Sequence, residues 1–125
     1  MRSSHGPEET MKRLEEAVKA NGMCVLGRID HAAPSTVAGL PLMPTDLLMF
    51  GAATNGAPLM QSARTVGLDL PWKALVWQDD VGSTWLSYND PEWLGRRHRL
   101  GPRANVTIKA IRKRAEGDRS AATAS

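Results

Sequence analysis

Apolar residues recur at Met11, Leu14 and Val18, the i, i+3, i+7 spacing of one helical stripe. Pro7 suits a first helical turn, Glu8 and Glu9 complement the positive end of the dipole, and Asn21-Gly22 supplies a left-handed stop. Together they predict a helix over 7–20, supported by the i,i+4 pairs Glu8–Lys12, Glu9–Arg13 and Glu15–Lys19. The run Met23–Ile29 is short and rich in branched residues, as a strand is. Asp30 then caps a short helix through about Ala38, distorted at Pro34, which lacks an N–H. Leu47–Gly51 reads as a second strand. The loop Ala52–Gly56 leads into a helix over Ala57–Thr65. Lys73–Asp79 and Ser83–Asn89 form a hairpin around Asp80-Val81-Gly82. Asp90-Pro91-Glu92 opens another helix, and a last amphipathic stretch covers about Ala104–Ala115.

The order α-β-α-β-α-β-β-α-α predicts an α+β fold with a single four-stranded, mainly antiparallel sheet. With Asp79 opposite Ser83, Trp77 faces Trp85 and Leu75 faces Ser87 on one side, while Val76 faces Leu86 and Ala74 faces Tyr88 on the other. Both faces are apolar. The helices after residues 6, 30 and 56 are expected to pack on one, over a core of Leu14, Val18, Val25, Leu48, Phe50, Val76 and Leu86. The second face, with Leu75, Trp77 and Trp85, is expected in a homodimer contact, because monomers rarely expose so large an apolar patch.

A length of 125 residues fits one domain, and 42% hydrophobic with 23% charged residues excludes disorder throughout. The 11 Gly and 8 Pro argue against a helical bundle. No apolar run is long enough to span a membrane, MRSSHGPEET is too polar for a signal peptide, and the lone Cys24 forms no internal disulfide. The expectation is a cytoplasmic protein with no membrane association. The domain is expected over 1–115, followed by a disordered polar tail over 116–125. Residues 101–125 carry six Lys/Arg against Glu116 and Asp118, a charge of +4, while residues 1–100 carry −1, so the net +3 belongs to this segment. This basic segment has no aromatic for stacking, so it reads as a solvated, partly frayed helix, and nucleic acid is not the expected partner.

Asp30-His31 is the first candidate chemistry, but adjacent side chains do not normally aim at one point. Asp30 is better explained as a helix cap, and His31 as partly buried on a backbone hydrogen bond. One Cys and three scattered His do not supply a zinc site, and Cys24 reads as a small core residue. Gly51 and Gly56 bracket a strand-to-helix loop, but Ala57-Pro58 stand where a phosphate-binding P-loop needs Lys and Ser/Thr. What survives is a helix N-terminus with free N–H groups able to accept a carboxylate or phosphate. Lys73 reads as a strand-start residue with its head in water, and Asp79-Asp80 as turn formers. The resulting site hypothesis is an anion-accepting cleft where the Ala57 helix start approaches His31, with Asp30, Gly51, Gly56 and Trp77 around it. No cofactor or metal is expected.

The function this supports is a non-enzymatic homodimeric module binding a small ligand or a protein. The alternatives are an enzyme acting on a small anionic metabolite near Asp30, His31 and the Gly51–Gly56 loop, and nucleic-acid or anionic-surface binding through the basic C-terminal helix.

The segments GRIDHAA (27–33), AGLPLMPTDLLMFG (38–51), GAPLMQ (56–61), GLDLPWKALVWQDD (67–80) and WLSYNDPEWLGRRHRL (85–100) hold their order and spacing over most of the chain. Together they are similar to the DUF302 family, small domains of unknown function. The resemblance covers about residues 8–100 and implies a compact α+β fold and homodimers, with no established activity, cofactor or catalytic residue. The chain departs from the family pattern at Pro34, where a helix former is usual, and at Ala52-Ala53-Thr54-Asn55, where the loop usually reads Asn-Pro-Lys.

Overall fold

The computed structural model describes residues 1–124. Strands β1 (Cys24–Asp30), β2 (Thr45–Gly51), β3 (Trp72–Gln78) and β4 (Thr84–Tyr88) form one sheet in chain order, each antiparallel to its neighbour. The hairpin register is the expected one: Trp77 opposite Trp85, Leu75 opposite Ser87, Val76 opposite Leu86 and Ala74 opposite Tyr88. Asp79 builds the turn, its Oδ1 accepting from the Val81 and Ser83 amides at 3.1 and 2.9 Å.

Alternation along the strands sends Leu48, Phe50, Trp72, Ala74, Val76 and Leu86 to one face, where all are buried, and Leu47, Met49, Leu75, Trp77 and Trp85 to the other. Helix α1 (Pro7–Ala20) lies against the inner face through Met11, Leu14 and Val18. Beside it runs α5 (Pro102–Thr123), flanked by α3 (Ala53–Ser62) and α4 (Pro91–Arg97). Asp90 caps α4 as expected, its Oδ1 accepting from the Glu92 amide at 3.0 Å.

Four expectations are corrected. First, α2 (Ala32–Val37) is a six-residue helix that buries nothing, so it covers neither face; α5 instead faces the sheet, with Ile111, Ala115 and Asp118 across a cavity from Phe50, Trp72 and Leu86. Second, Cys24 is exposed rather than in the core, because it starts the edge strand β1 just before the register shift between Val25 and Gly27. Val25 is only partly buried for the same reason.

Third, α3 begins at Ala53, not Ala57. The Asn55 and Gly56 amides both reach the Ala52 carbonyl at 3.0 Å, closing a helical turn where a loop was expected. Pro58 sits inside this helix and withdraws the donor that Thr54 would have used; both residues are exposed, so water replaces it at little cost. The helix stops at Ser62, and a 3-10 turn over Arg64–Leu68 follows.

Fourth, residues 116–123 are not a disordered tail but the last turns of α5. Asp118, Ala122 and Thr123 are buried there. The N-terminal segment pins them: the Ser4 amide donates to the Thr123 carbonyl at 2.8 Å, and His5 Nε2 lies 2.7 Å from the Ala124 carbonyl oxygen. The Ser3 amide donates to Thr84 on the β4 edge at 2.8 Å, so the same few residues tie sheet and helix together. Ser125, the end of the expected tail, lies outside the described residues.

Candidate functional site

The antiparallel β1–β2 ladder decides where the expected site residues go. Asp30 pairs with Asp46 at one end of the ladder and Cys24 with Gly51 at the other. His31, whose amide donates to the Thr45 carbonyl at 2.9 Å, is therefore about 20 Å along the strand direction from the Gly51 end. Gly51, Gly56 and Ala57 stand beside Trp72, whereas Trp77, opposite Thr45, stands at the His31 end. The expected cleft between the Ala57 helix and His31 is thus not assembled. The amide of Gly56 is also used within α3, which removes it as an anion donor. Asp30 is the cap the sequence suggests, its Oδ1 accepting from Ala32 and Ala33 at 2.9 and 3.2 Å, but His31 is exposed rather than partly buried.

A different cavity lies between the inner face of the sheet and the second half of α5. Leu14, Phe50, Trp72, Leu86 and Ile111 supply apolar walls, and Arg114, Asp118 and Arg119 project from α5. Its free volume is about 40 Å³, room for two or three water-sized groups. The space exists because α5 carries Ala115 and Asp118 where large aliphatics would have closed the gap. Asp118 is only 4% exposed. Its Oδ1 accepts from Asn21 Nδ2, and its Oδ2 has no partner among the described residues. Burial pushes its carboxyl above the ordinary value, opposed by the Asn21 hydrogen bond and the Arg114 charge. Arg119 Nε is likewise buried without a partner, its guanidinium 5.2 Å from the centre of the Tyr88 ring.

The outer face presents a different surface. Trp77 and Trp85 stack with ring centres 6.1 Å apart; their indole N–H groups donate to Ser87 Oγ at 3.0 Å and Asp79 Oδ2 at 2.8 Å. Leu47, Met49 and Leu75 continue the stripe half-buried, and Leu26 and Ile29 are 61% and 41% exposed along β1. A Cβ at Gly27 would come within 2.8 Å of the Met49 methyl that lies across it, so the flexible end of the Met49 side chain would have to move aside.

Described as a domain of unknown function, DUF302 matches residues 1–117. The chain belongs to the DUF302 family. An uncharacterized conserved DUF302 protein from Bacillus stearothermophilus, known from its crystal structure, has the same fold. Its TM-score is 0.86 at 24% identity, over 98% of this chain and 94% of that one. Two Brucella proteins, from B. suis biovar 1 and B. melitensis biotype 1, are each 50% identical over 109 residues. They carry the names fluoride-specific ion channel FluC 1 and FluC 2. The match takes in 87% of this chain but only 43% and 40% of theirs, so the chain spans less than half the length of these curated relatives. Among the described residues of this DUF302 chain, no helix is long and apolar enough to cross a membrane.

One polar cluster escaped the sequence reading. In this DUF302 domain His98 Nε2 meets Asp69 Oδ2, His98 Nδ1 lies 3.0 Å from Thr65 Oγ1, and Arg97 Nη1 holds both Asp69 oxygens at 2.9 and 3.0 Å. The His98 hydrogen bond, against the cost of burial and with help from the Arg97 charge, holds the Asp69 carboxyl below its ordinary value. The order Asp–His–Thr resembles a nucleophile relay, but Thr65 stands exposed on the 3-10 turn and Asp69 is already committed to Arg97, so the cluster acts as a clamp between that turn and α4. No sequence spacing brings residues 65, 69 and 98 together; only the packing of α4 does. Among the described residues no three His, Cys, Asp or Glu side chains cluster to hold a metal ion.

Proposed function

We propose that this DUF302 chain is a non-catalytic binding domain that takes a small ligand beneath α5 and pairs with a second copy through the outer face of its sheet. The observation that carries the ligand reading is the α5 cavity: an apolar-walled space with buried polar atoms on Asp118 and Arg119 that the protein itself leaves unpartnered. Native proteins seldom leave such groups unsatisfied, because each costs about 1–3 kcal/mol. The cavity is mostly apolar and its polar lining includes one carboxylate, guanidinium groups, Lys73 and Tyr88, with no histidine to serve as a base, so its lining favours binding over covalent chemistry.

The pairing reading is supported by the outer stripe of Leu47, Met49, Leu75, Trp77 and Trp85, against which no helix among the described residues packs. The sheet edges are poor alternatives, since residues 2–3 occupy the β4 edge and β1 is irregular between Val25 and Gly27. Face-to-face pairing about a two-fold axis would bury about 800 Å² per subunit. In the Brucella relatives the same domain would be an accessory part: crossing a membrane takes apolar helices or a closed barrel, so we assign their channel activity to the portion this chain does not match.

Native mass spectrometry of the purified chain tests both halves together. The expected species is twice 13.6 kDa, with a small adduct retained on each subunit, and Trp77→Glu reduces it to one chain by burying a charge without a partner. A wild-type species at 13.6 kDa removes the pairing, and a bare dimer that also fails to take up added small molecules removes the ligand site.

A further inference from the structure

We infer that the excursion between β1 and β2, residues 31–44, is an arm that each copy of the chain lays into an apolar groove at the Gly51 end of its partner's sheet. The inference rests on the pairing reading above and names what seals the pair. Neighbouring antiparallel strands are usually joined by about two to five residues, yet 14 residues separate Asp30 from Thr45. None of the 14 is Asp, Glu, Lys or Arg. Residues 36–44 are exposed without interruption, and they include Val37 at 89%, Leu40 at 71%, Leu42 and Met43. The arm is nonetheless formed. Gly39, at φ +81°, closes α2, and the Ala38, Gly39 and Leu40 amides donate to the Pro34, Thr36 and Ser35 carbonyls at 2.9–3.0 Å. Its apolar side chains therefore stand on an ordered backbone that loses little freedom on docking.

The groove lies at the opposite end of the same ladder. Cys24, Leu26, Ala57, Met60, Leu70 and Trp72 line it, no charged residue does, and its free volume is about 520 Å³. Gly51 shares the alternation of Leu47 and Met49 and pairs with Cys24, so the groove continues the outer stripe. A two-fold axis that lies between two facing sheets and crosses their strands reverses the strand direction in the partner. It brings the arm end of each copy over the Gly51 end of the other, and both contacts form at once. The area needed points the same way. The five stripe residues are already half-buried in their own subunit, so the bare sheet offers on the order of 500 Å² at most, short of the roughly 800 Å² a stable contact takes from each partner. Arm and groove supply the remainder.

Cys24 is the single cysteine of the chain, is exposed and lines the groove, so it reports on what docks there. Full-length Leu40→Cys and Leu42→Cys chains are oxidised at micromolar concentration, and the products are sized by non-reducing electrophoresis and mapped by peptide mass. Arm and groove of one chain stand about 20 Å apart, beyond the reach of a disulfide, so any bridge to Cys24 joins two chains. The expected product, from at least one of the two variants, is a covalent dimer of twice 13.6 kDa that disappears when Cys24→Ser is added. Val106→Cys, at an exposed position on α5, should give less than about a tenth as much. Leu40→Glu, also at an exposed position and so without effect on the fold of one chain, should raise the Kd of the dimer at least about tenfold by bringing a charge into an apolar groove. A wild-type dimer with no Cys24 bridge above the Val106→Cys level in either arm variant, or with a Kd unchanged by Leu40→Glu, overturns the arm, leaves the outer-face pairing and gives the groove to another occupant. A wild-type chain that runs at 13.6 kDa overturns both.

Discussion

Helices α1 and α5 lie side by side on the same face of the sheet, yet different forces hold them there. The buried stripe of α1 is Met11, Leu14 and Val18, with Thr10 beside it. On α5 the stripe starts the same way, with Ala104, Ile108 and Ile111, and then turns to Asp118, Ala122 and Thr123. The first helix is driven onto the sheet by large aliphatic side chains. The last turns of α5 bury little apolar area and depend on hydrogen bonds from Asn21, Ser4 and His5. Where large side chains are missing, the surface beneath the helix does not close, and the cavity lined by Asp118 is the result. Structure held by hydrogen bonds and small residues here costs stability and makes room for a ligand.

The largest effect should come from the aliphatic side of this comparison. Leu14 is 2% exposed and lines the cavity wall, so Leu14→Ala should cost about 2–5 kcal/mol in denaturant unfolding. A cost below 1 kcal/mol would mean that α1 is held, like the end of α5, by something other than its aliphatic stripe. Removing residues 116–125 should cost less but still measurably, about 1–3 kcal/mol, because the Asn21, Ser4 and His5 bonds are lost together. A melting temperature unchanged by the truncation would show that the last two turns of α5 contribute nothing to the fold.

This difference also explains what could be read from the sequence. Helix α1 was legible to the residue, since large apolar side chains at helical spacing and charged pairs between them carry one message. The β3–β4 register followed from Asp79 and the alternation of Ala74, Leu75, Val76 and Trp77. The end of α5 was not legible, because Asp118, Ala122 and Thr123 look like a solvated tail until the Ser4 and His5 contacts cover them. Those partners are more than a hundred residues away in the chain. The Gly51–Gly56 segment failed for a local reason: Pro58 suggested a helix start, when the helix tolerates it internally on an exposed side. The His31 cleft failed because two residues near in the sequence pattern were placed at opposite ends of one ladder. Cavity and clamp alike depend on long-range packing, and neither leaves a motif.

Acid titration separates the regions by sign. Burial raises the Asp118 carboxyl, so the folded chain binds a proton there more readily than the unfolded chain does. Its unfavourable contribution is full above the folded value and is relieved as pH falls toward 3.8. At Asp69 the His98 hydrogen bond lowers the folded value, so its stabilising contribution is complete above 3.8 and is lost as pH falls through the lower folded value. Between pH 7 and 4, D118N should therefore flatten the rise in stability that the wild type shows on acidification. Asp69→Asn should instead remove part of the acid limb below pH 4. Identical pH profiles for wild type and D118N would show that Asp118 is not desolvated in solution, and the contrast between the two helices would shrink to side-chain volume alone.

The smallest effects belong at the far end of the sheet, on the neighbours Asp30 and His31. Asp30 caps α2 through the Ala32 and Ala33 amides, so Asp30→Ala should cost about 0.5–1 kcal/mol, the low end for a cap, since α2 buries nothing against the body. His31 is exposed, and only its backbone is engaged, the amide donating to the Thr45 carbonyl and the carbonyl accepting from the Ser35 hydroxyl, so His31→Ala should leave stability within about 0.5 kcal/mol. The same substitution should leave uptake of a small ligand beneath α5 unchanged, because the cavity lies on the inner face while His31 stands outside the β1–β2 ladder end. Chemical shift titration of the two variants against the wild type measures this directly. A loss of ligand affinity in His31→Ala would place a binding group at the exposed end of the sheet. The ligand would then have to reach both regions, and the separation between a packed helix and a binding helix would no longer describe where this domain does its work.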